Sequence, residues 1–270
     1  MNMKKVTIKD IAREAGVSTA TVSYVINNRV DQKISEETKA KVLQIVNLYN
    51  YKPTSSAKSL TPSLTRTIAV YVGEFADGLG SYSEWRGLSM LRDGFAKEKY
   101  HLILQDKTNI KRLDNVDAII CHGTTVNFFR SIAELNFVPV IAVDLYVNDN
   151  LFFQINSNYR KVVDVAEANF GYDDFTIVMP DGLSPQVRGQ LRRAYQTKAI
   201  KDLEHLKEYL LENIDRNIIV YGVELAKIAK LIKEDVVAFP IFTEDKVQTI
   251  IQCAKKAITR QDVSQKHFEV

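Results

Sequence analysis

The 270-residue chain is 46% hydrophobic with only 11 glycines and 6 prolines, which excludes a disordered chain and suffices for one large or two ordinary folded domains. Its two cysteines, Cys121 and Cys253, exclude a disulfide framework and lack metal-ligand spacing; both are expected to pack in a reducing compartment. The net charge of +3 is uneven: residues 1–66 hold 11 Lys+Arg against 5 Asp+Glu and the remainder 25 against 28, so the first quarter carries the charge that phosphate backbones attract.

Lys4 and Lys5 could open a signal peptide, but Lys9, Asp10 and Arg13 interrupt any apolar continuation, and no run approaches membrane-spanning length. A cytoplasmic protein without membrane contact is expected. Thr7 followed by Asp10 makes a capping-box-like start, after which Ile8, Ile11, Ala12 and Ala15 recur at helical spacing. Gly16 then supplies a residue suited to a sharp turn, with Val17 as a plug between two helices. Ser18 caps a second helix in which Thr21, Val22, Val25 and Ile26 can face inward, leaving Thr19, Ala20, Ser23, Tyr24 and Asn27 outward. That small, polar, uncharged face suits a major groove, where hydroxyls and a phenol reach base edges or phosphates and Ala20 can touch a thymine methyl. A helical hairpin that only packs would share this hydrophobic pattern.

The order of residues is more specific. Residues 6–27, VTIKDIAREAGVSTATVSYVIN, resemble the signature of the lactose-repressor, galactose-repressor and purine-repressor family of bacterial transcriptional regulators, V-T-I-x-D-V-A-x-x-A-G-V-S-x-x-T-V-S-x-V-x-N. Every fixed position is matched except Ile11, where Val is usual. The resemblance implies a DNA-binding helix-turn-helix headpiece. From their places at or near the start and outer face of its second helix, Thr19, Ala20 and Tyr24 are expected to read bases while Thr7, Ser18, Ser23 and Asn27 mainly fix the headpiece on phosphates. Thr21, Ser35 and Thr38 join the candidate DNA contacts.

After a polar loop, Ser35 with Glu36 and Glu37 starts a third helix whose Val42, Ile45, Val46 and Tyr49 recur at core spacing. Residues 50–67, with Pro53 and Pro62 bracketing a Ser/Thr-rich stretch, read as a linker that also suits a short helix entered at Pro53. In the resembled family this segment is a hinge helix, Y-x-P-N-x-x-A-R-x-L, which pairs with its dimer mate in the minor groove. Tyr51, Pro53, Ala57 and Leu60 match; Thr54 and Lys58 replace the usual Asn and Arg, so bidentate hydrogen bonding is lost. Leu60 would wedge between base steps of a near-palindromic operator and bend it. The expected domains are a headpiece over 1–52, hinge helix and linker over 53–66, and a shortened α/β regulatory and dimerisation domain over 67–270.

From Thr67 short apolar runs alternate with amphipathic stretches, which predicts a largely parallel α/β sheet. Strands are expected at 68–72, 101–104, 116–121, 139–143, 152–155, 175–179, 218–221 and 236–239. Helices are expected at 83–99, 126–136, 159–170, 185–197, 203–212, 223–233 and 244–259. The resemblance implies a periplasmic-binding-protein-like domain of two Rossmann-like lobes with an effector cleft between them. Too few residues lie between Asp106 and Val116 for the helix usual there. The family's N-D-x-x-A is altered to Val223-Glu224-Leu225-Ala226-Lys227, and its G-F-D-D is replaced by Phe239-Pro240-Ile241-Phe242.

Ligands of open α/β lobes sit beyond the carboxyl ends of strands, which marks Glu74, His122, Thr124, Asp144 and Tyr146; with Arg188 or Arg192 and Glu224 these are the candidate effector residues. Solvated helix positions are the plainer reading of the arginines. Cys121 and His122 adjoin in a strand and so point to opposite faces, which sets aside a nucleophile and base pair. Gly78 and Gly80 lack the companions of a phosphate loop.

These readings converge on a homodimeric, operator-binding regulator, a repressor by the resemblance, without enzymatic activity or cofactor, whose partners are duplex DNA, a second copy and a small-molecule or protein co-regulator. The alternative is a small-molecule binder or enzyme carrying a vestigial headpiece. With two landmarks altered, an ordinary free sugar is not the expected effector. The competing view is that Glu224, Asp144 and His122 rebuild a different pocket.

Overall fold

The computed structural model describes residues 6–26, 34–49, 64–73, 79–106, 108, 110–171, 174–261 and 263–270. Asn27, the hinge residues Tyr51, Thr54, Ala57, Lys58 and Leu60, and Glu74 lie outside the described residues.

Three helices form the amino-terminal unit: α1 (Ile8–Ala15), α2 (Thr19–Ile26) and α3 (Glu36–Tyr49). The Thr7 N–H and hydroxyl both donate to the Asp10 carboxylate, at 2.9 and 2.7 Å, which fixes the start of α1. Gly16 ends it at φ 70°, a left-handed conformation that costs glycine nothing. Val17 N–H reaches back to the Ala12 carbonyl at 3.0 Å, completing the turn. Ile11, Ala12, Ala15, Val22, Val25, Ile26, Val42, Leu43, Ile45 and Val46 close the core, with Val17 packed on it. Tyr49, expected in this core, is exposed, because it lies at the last residue of α3.

The second unit has two lobes. The first is a six-stranded parallel sheet in the order β10-β5-β4-β3-β1-β2, formed by β1 (Thr67–Val72), β2 (His101–Leu104), β3 (Ala118–His122), β4 (Val140–Val143), β5 (Gln154–Asn156) and β10 (His267–Glu269). The helices α4 (Ser81–Lys97) and α10 (Glu244–Thr259) pack on one face and α5 (Val126–Leu135) on the other. The second lobe is a four-stranded parallel sheet, β7-β6-β8-β9, from β6 (Thr176–Pro180), β7 (Thr197–Ile200), β8 (Ile218–Tyr221) and β9 (Val237–Phe239). It is flanked by α6 (Lys161–Phe170), α7 (Pro185–Ala194), α8 (Leu203–Glu212) and α9 (Val223–Ala229).

Two strands escaped the sequence. β7 lies where the sequence ran a helix on to Thr197, and Ile200 is its single fully buried residue; β10 is a three-residue edge strand with no buried position. Neither carries the apolar run that reveals a core strand. Helix 223–233 stops at Ala229, and helix 185–197 at Ala194.

No helix occurs among the described residues between β2 and β3. The buried Asn136 bridges this shortened connection, accepting the Leu113 N–H at 2.8 Å and donating to the Ile132 carbonyl at 2.9 Å. Asp117 anchors the chain entering β1, accepting the backbone N–H groups of Thr65 and Arg66 at 2.9 and 2.8 Å.

Candidate nucleic-acid interface and the junction between lobes

Ser18 accepts the Thr21 N–H at 3.0 Å, and the two hydroxyls lie 2.9 Å apart, so this pair builds the start of α2. Thr19 and Ala20 in its first turn are exposed, whereas Thr21, Ser23 and Tyr24 are half-buried. Ser35 likewise accepts the Thr38 N–H at 3.2 Å and donates its hydroxyl to Thr38 at 2.8 Å. Thr7, Ser18, Thr19 and Ala20 thus leave an exposed, uncharged surface around the turn. Tyr24 lies at the other end of α2, beside Arg112, Leu135 and Phe137 of the first lobe; Phe137 packs on the headpiece core.

Among the described residues the chain passes between the lobes twice, at residues 157–160 after β5 and 240–243 after β9. At that junction four charged side chains, Glu84, His122, Asp144 and Lys246, are 6% exposed or less. His122 Nε2 is 2.6 Å from a Glu84 oxygen, and its Nδ1 is 3.4 Å from Asp144. Lys246 Nζ donates to both Asp144 oxygens at 2.7 Å, to Ser157 Oγ at 2.8 Å and to the Ile241 carbonyl at 3.1 Å. Asp144 sits at φ 50°, a left-handed conformation that Asp tolerates better than most residues.

Burial works against the charged forms of Asp144 and His122, and the network offsets it. For Asp144, burial raises the pKa, but Lys246 and then His122 bring it below the usual carboxylate value. For His122, burial lowers it, but Glu84 and then Asp144 lift it above the ordinary histidine value. The Phe242 ring completes the enclosure, 5.0 Å from Lys246 Nζ and 5.1 Å from the His122 ring. Gly87 of α4 makes room for it, since a Cβ there would overlap that ring.

The cavity between the lobes, lined by Glu84, His122 and Asp144 from one side and by Leu183, Ser184 and Tyr221 from the other, measures about 20 Å³, room for one water. Arg188 is half-buried and outside its lining, and Arg192 is exposed. Tyr146 is half-buried and Thr124 buried. Glu224 is paired outside the cavity, with Lys227 at 3.0 Å and across the lobes with Arg86 at 3.3 Å. Gln186 adds a second tie, accepting the Tyr146 N–H at 3.1 Å and donating to its carbonyl at 3.2 Å. Cys121 and His122 face opposite sides of the sheet, and burial pushes the Cys121 thiol up, away from nucleophilic use.

Sequence reasoning found His122 and Asp144 from their places at strand ends but missed Glu84, Ser157 and Lys246. Lys246 reads as a solvated residue in the first turn of a helix. The replaced Phe239-Pro240-Ile241-Phe242 stretch was the available signal, since it supplies the carbonyl and the ring that hold the lysine.

The architecture is a three-helix headpiece joined to a two-lobed parallel α/β domain of the periplasmic-binding-protein-like kind. Residues 7–54 match the family model described as bacterial regulatory proteins, lacI family. The headpiece of this chain is thus similar to that family's. It is 31% identical over 173 residues to catabolite control protein A of Staphylococcus epidermidis, a match covering 60% of this chain and 50% of the relative. It is 32% identical over 171 residues to the HTH-type transcriptional repressor PurR of Vibrio vulnificus, covering 60% and 48%. The matched region therefore spans about half the length of these curated relatives. Among solved structures, the transcriptional regulator CelR in complex with cellobiose aligns over 98% of this chain and 97% of its own, with TM-score 0.52 and 14% identity. The Cra transcriptional dual regulator of Pseudomonas putida, in complex with fructose 1-phosphate, aligns over 76% and 96%, with TM-score 0.51 and 14% identity. At such identities these two likenesses establish the fold.

Proposed function

We propose that this protein is a cytoplasmic, sequence-specific DNA-binding regulator that represses transcription from a near-palindromic operator as a homodimer. The observation that carries the reading is the helix-turn-helix itself: a Gly16 turn and a Ser18 cap present exposed Thr19 and Ala20 on a basic headpiece. In this reading Thr19, Ala20 and Tyr24 read bases, Thr7, Ser18, Ser23 and Asn27 contact phosphates, and the 53–66 linker supplies the hinge. Tyr24 must then be presented to DNA from its place beside Phe137.

The 67–270 region supplies dimerisation. Tyr82 and Trp85 on α4 are 72% and 63% exposed, and Leu231, just beyond α9, is 86% exposed; aromatic side chains standing this far out favour a protein interface. A single headpiece buries limited surface on DNA, so two are needed for useful specificity. The relatives named above are regulators rather than enzymes, which supports a non-catalytic role. The test is selection of bound sequences from random duplex DNA by the full chain. Enrichment of one near-palindrome is expected; binding without an enriched sequence, or no binding, overturns the reading.

A further inference from the structure

Both segments that connect the lobes converge on one buried ammonium. Ser157 opens the first connecting segment, and its N–H and hydroxyl lie 3.3 Å from Asp144 while its Oγ accepts from Lys246. Ile241, in the second, gives its carbonyl to the same Nζ. Asp144 follows β4 in the first lobe, and Lys246 lies in the first turn of α10. Hinge motion between two lobes is absorbed by changes of φ and ψ in just such connecting residues. Swinging them apart would pull Ser157 or Ile241 from Lys246 and expose a buried ion pair to partial solvation while its partners are lost.

The geometry points to a built-in latch: Lys246, seated on Asp144, pins both connecting segments and holds the lobes closed without a bound ligand. Its ammonium does from inside the chain what an effector between two lobes would do from outside. The cavity left beside it, with room for a single water, fits this arrangement. Asp144 and His122 then serve the latch, not a diffusible ligand. This inference concerns the lobes alone and can fail or succeed whether or not DNA is the partner.

The test uses the full chain without DNA. Solution scattering and amide hydrogen exchange of the wild type are compared with the Lys246→Met/Asp144→Asn double variant, which removes both charges while keeping volume and a residue tolerant of a left-handed backbone. The expected result is at least tenfold faster exchange confined to residues 156–160 and 240–243, a larger radius of gyration, and unchanged exchange in α1 to α3. In Lys246→Ala, millimolar propylamine, a primary ammonium with the four heavy atoms that the substitution removes, should slow that exchange again, whereas propanol should not. Unchanged exchange and scattering in the double variant would overturn the latch, as would faster exchange spread evenly over the first lobe. A wild type whose scattering contracts on adding any sugar, sugar phosphate, nucleobase or amino acid would overturn it too. If Lys246→Ala does not fold, the double variant decides alone.

Discussion

In the headpiece, Thr19 and Ala20 stand exposed at the start of α2 while an apolar core holds the helices from behind. At the junction between lobes, Glu84, His122, Asp144 and Lys246 are buried and bonded to one another. One region leaves its polar side chains at the surface, and the other pairs them internally. The same kinds of side chain do different work according to whether their partners come from the chain itself, and in the headpiece Thr19 and Ala20 stay open to solvent.

The largest test of that contrast is at Lys246. Lys246→Met alone strands the Asp144 carboxylate in a buried site and should cost about 3–5 kcal/mol, most of it recovered in Lys246→Met/Asp144→Asn. Urea unfolding measures both, and a single variant as stable as the double would contradict the pairing. At the headpiece, Tyr24→Ala should leave folding intact and lose about 1–3 kcal/mol of binding, mainly at one operator position. Uniform weakening across a set of singly substituted duplexes would show that Tyr24 reads no base. Gly16→Ala places a Cβ at φ 70° and should cost about 1–2 kcal/mol. Thermal melting should place that loss in the headpiece, with the lobes unchanged.

A pH series sharpens the comparison further. The His122 value is raised in the fold, so its contribution is fully present below its ordinary 6.5 and is lost as pH rises through the folded value. The Asp144 value is lowered, so its contribution is present above its ordinary 3.8 and is lost as pH falls through the folded value. Lobe stability should therefore decline on the alkaline side of 6.5, and His122→Gln should flatten that limb. An unaltered alkaline limb would remove His122 from the network's energetics. The smallest expected effect is that of free sugars on operator affinity, less than tenfold, or about 1.4 kcal/mol. Titration of the operator complex with a sugar panel reads it, and a larger change would mean that the junction opens to accept them.

How much of this was legible in the sequence follows from the range of the interactions. The headpiece is built from neighbours in the chain: Thr7 with Asp10, Gly16 with Ala12, Ser18 with Thr21. Each pair has a spacing that can be read directly. The alternating strands and helices of the lobes were equally visible because β1, β3, β4, β6 and β8 are apolar runs. The junction was not, since Lys246 and Asp144 are 102 positions apart and His122 and Glu84 are 38 apart. Periodicity marks Lys246 as an ordinary first-turn residue, and only the fold brings it to a carboxylate.

The short connection after β2 has a consequence for handling the protein. Among the described residues β2 pairs with β1 alone and ends its sheet, with Ile103 and Leu104 37% and 55% exposed. A terminal strand with apolar side chains and an open row of backbone groups is a template onto which another extended chain can add. Concentrated preparations should thus be prone to edge-to-edge association there, and a lysine in place of Leu104 should make the protein easier to keep in solution.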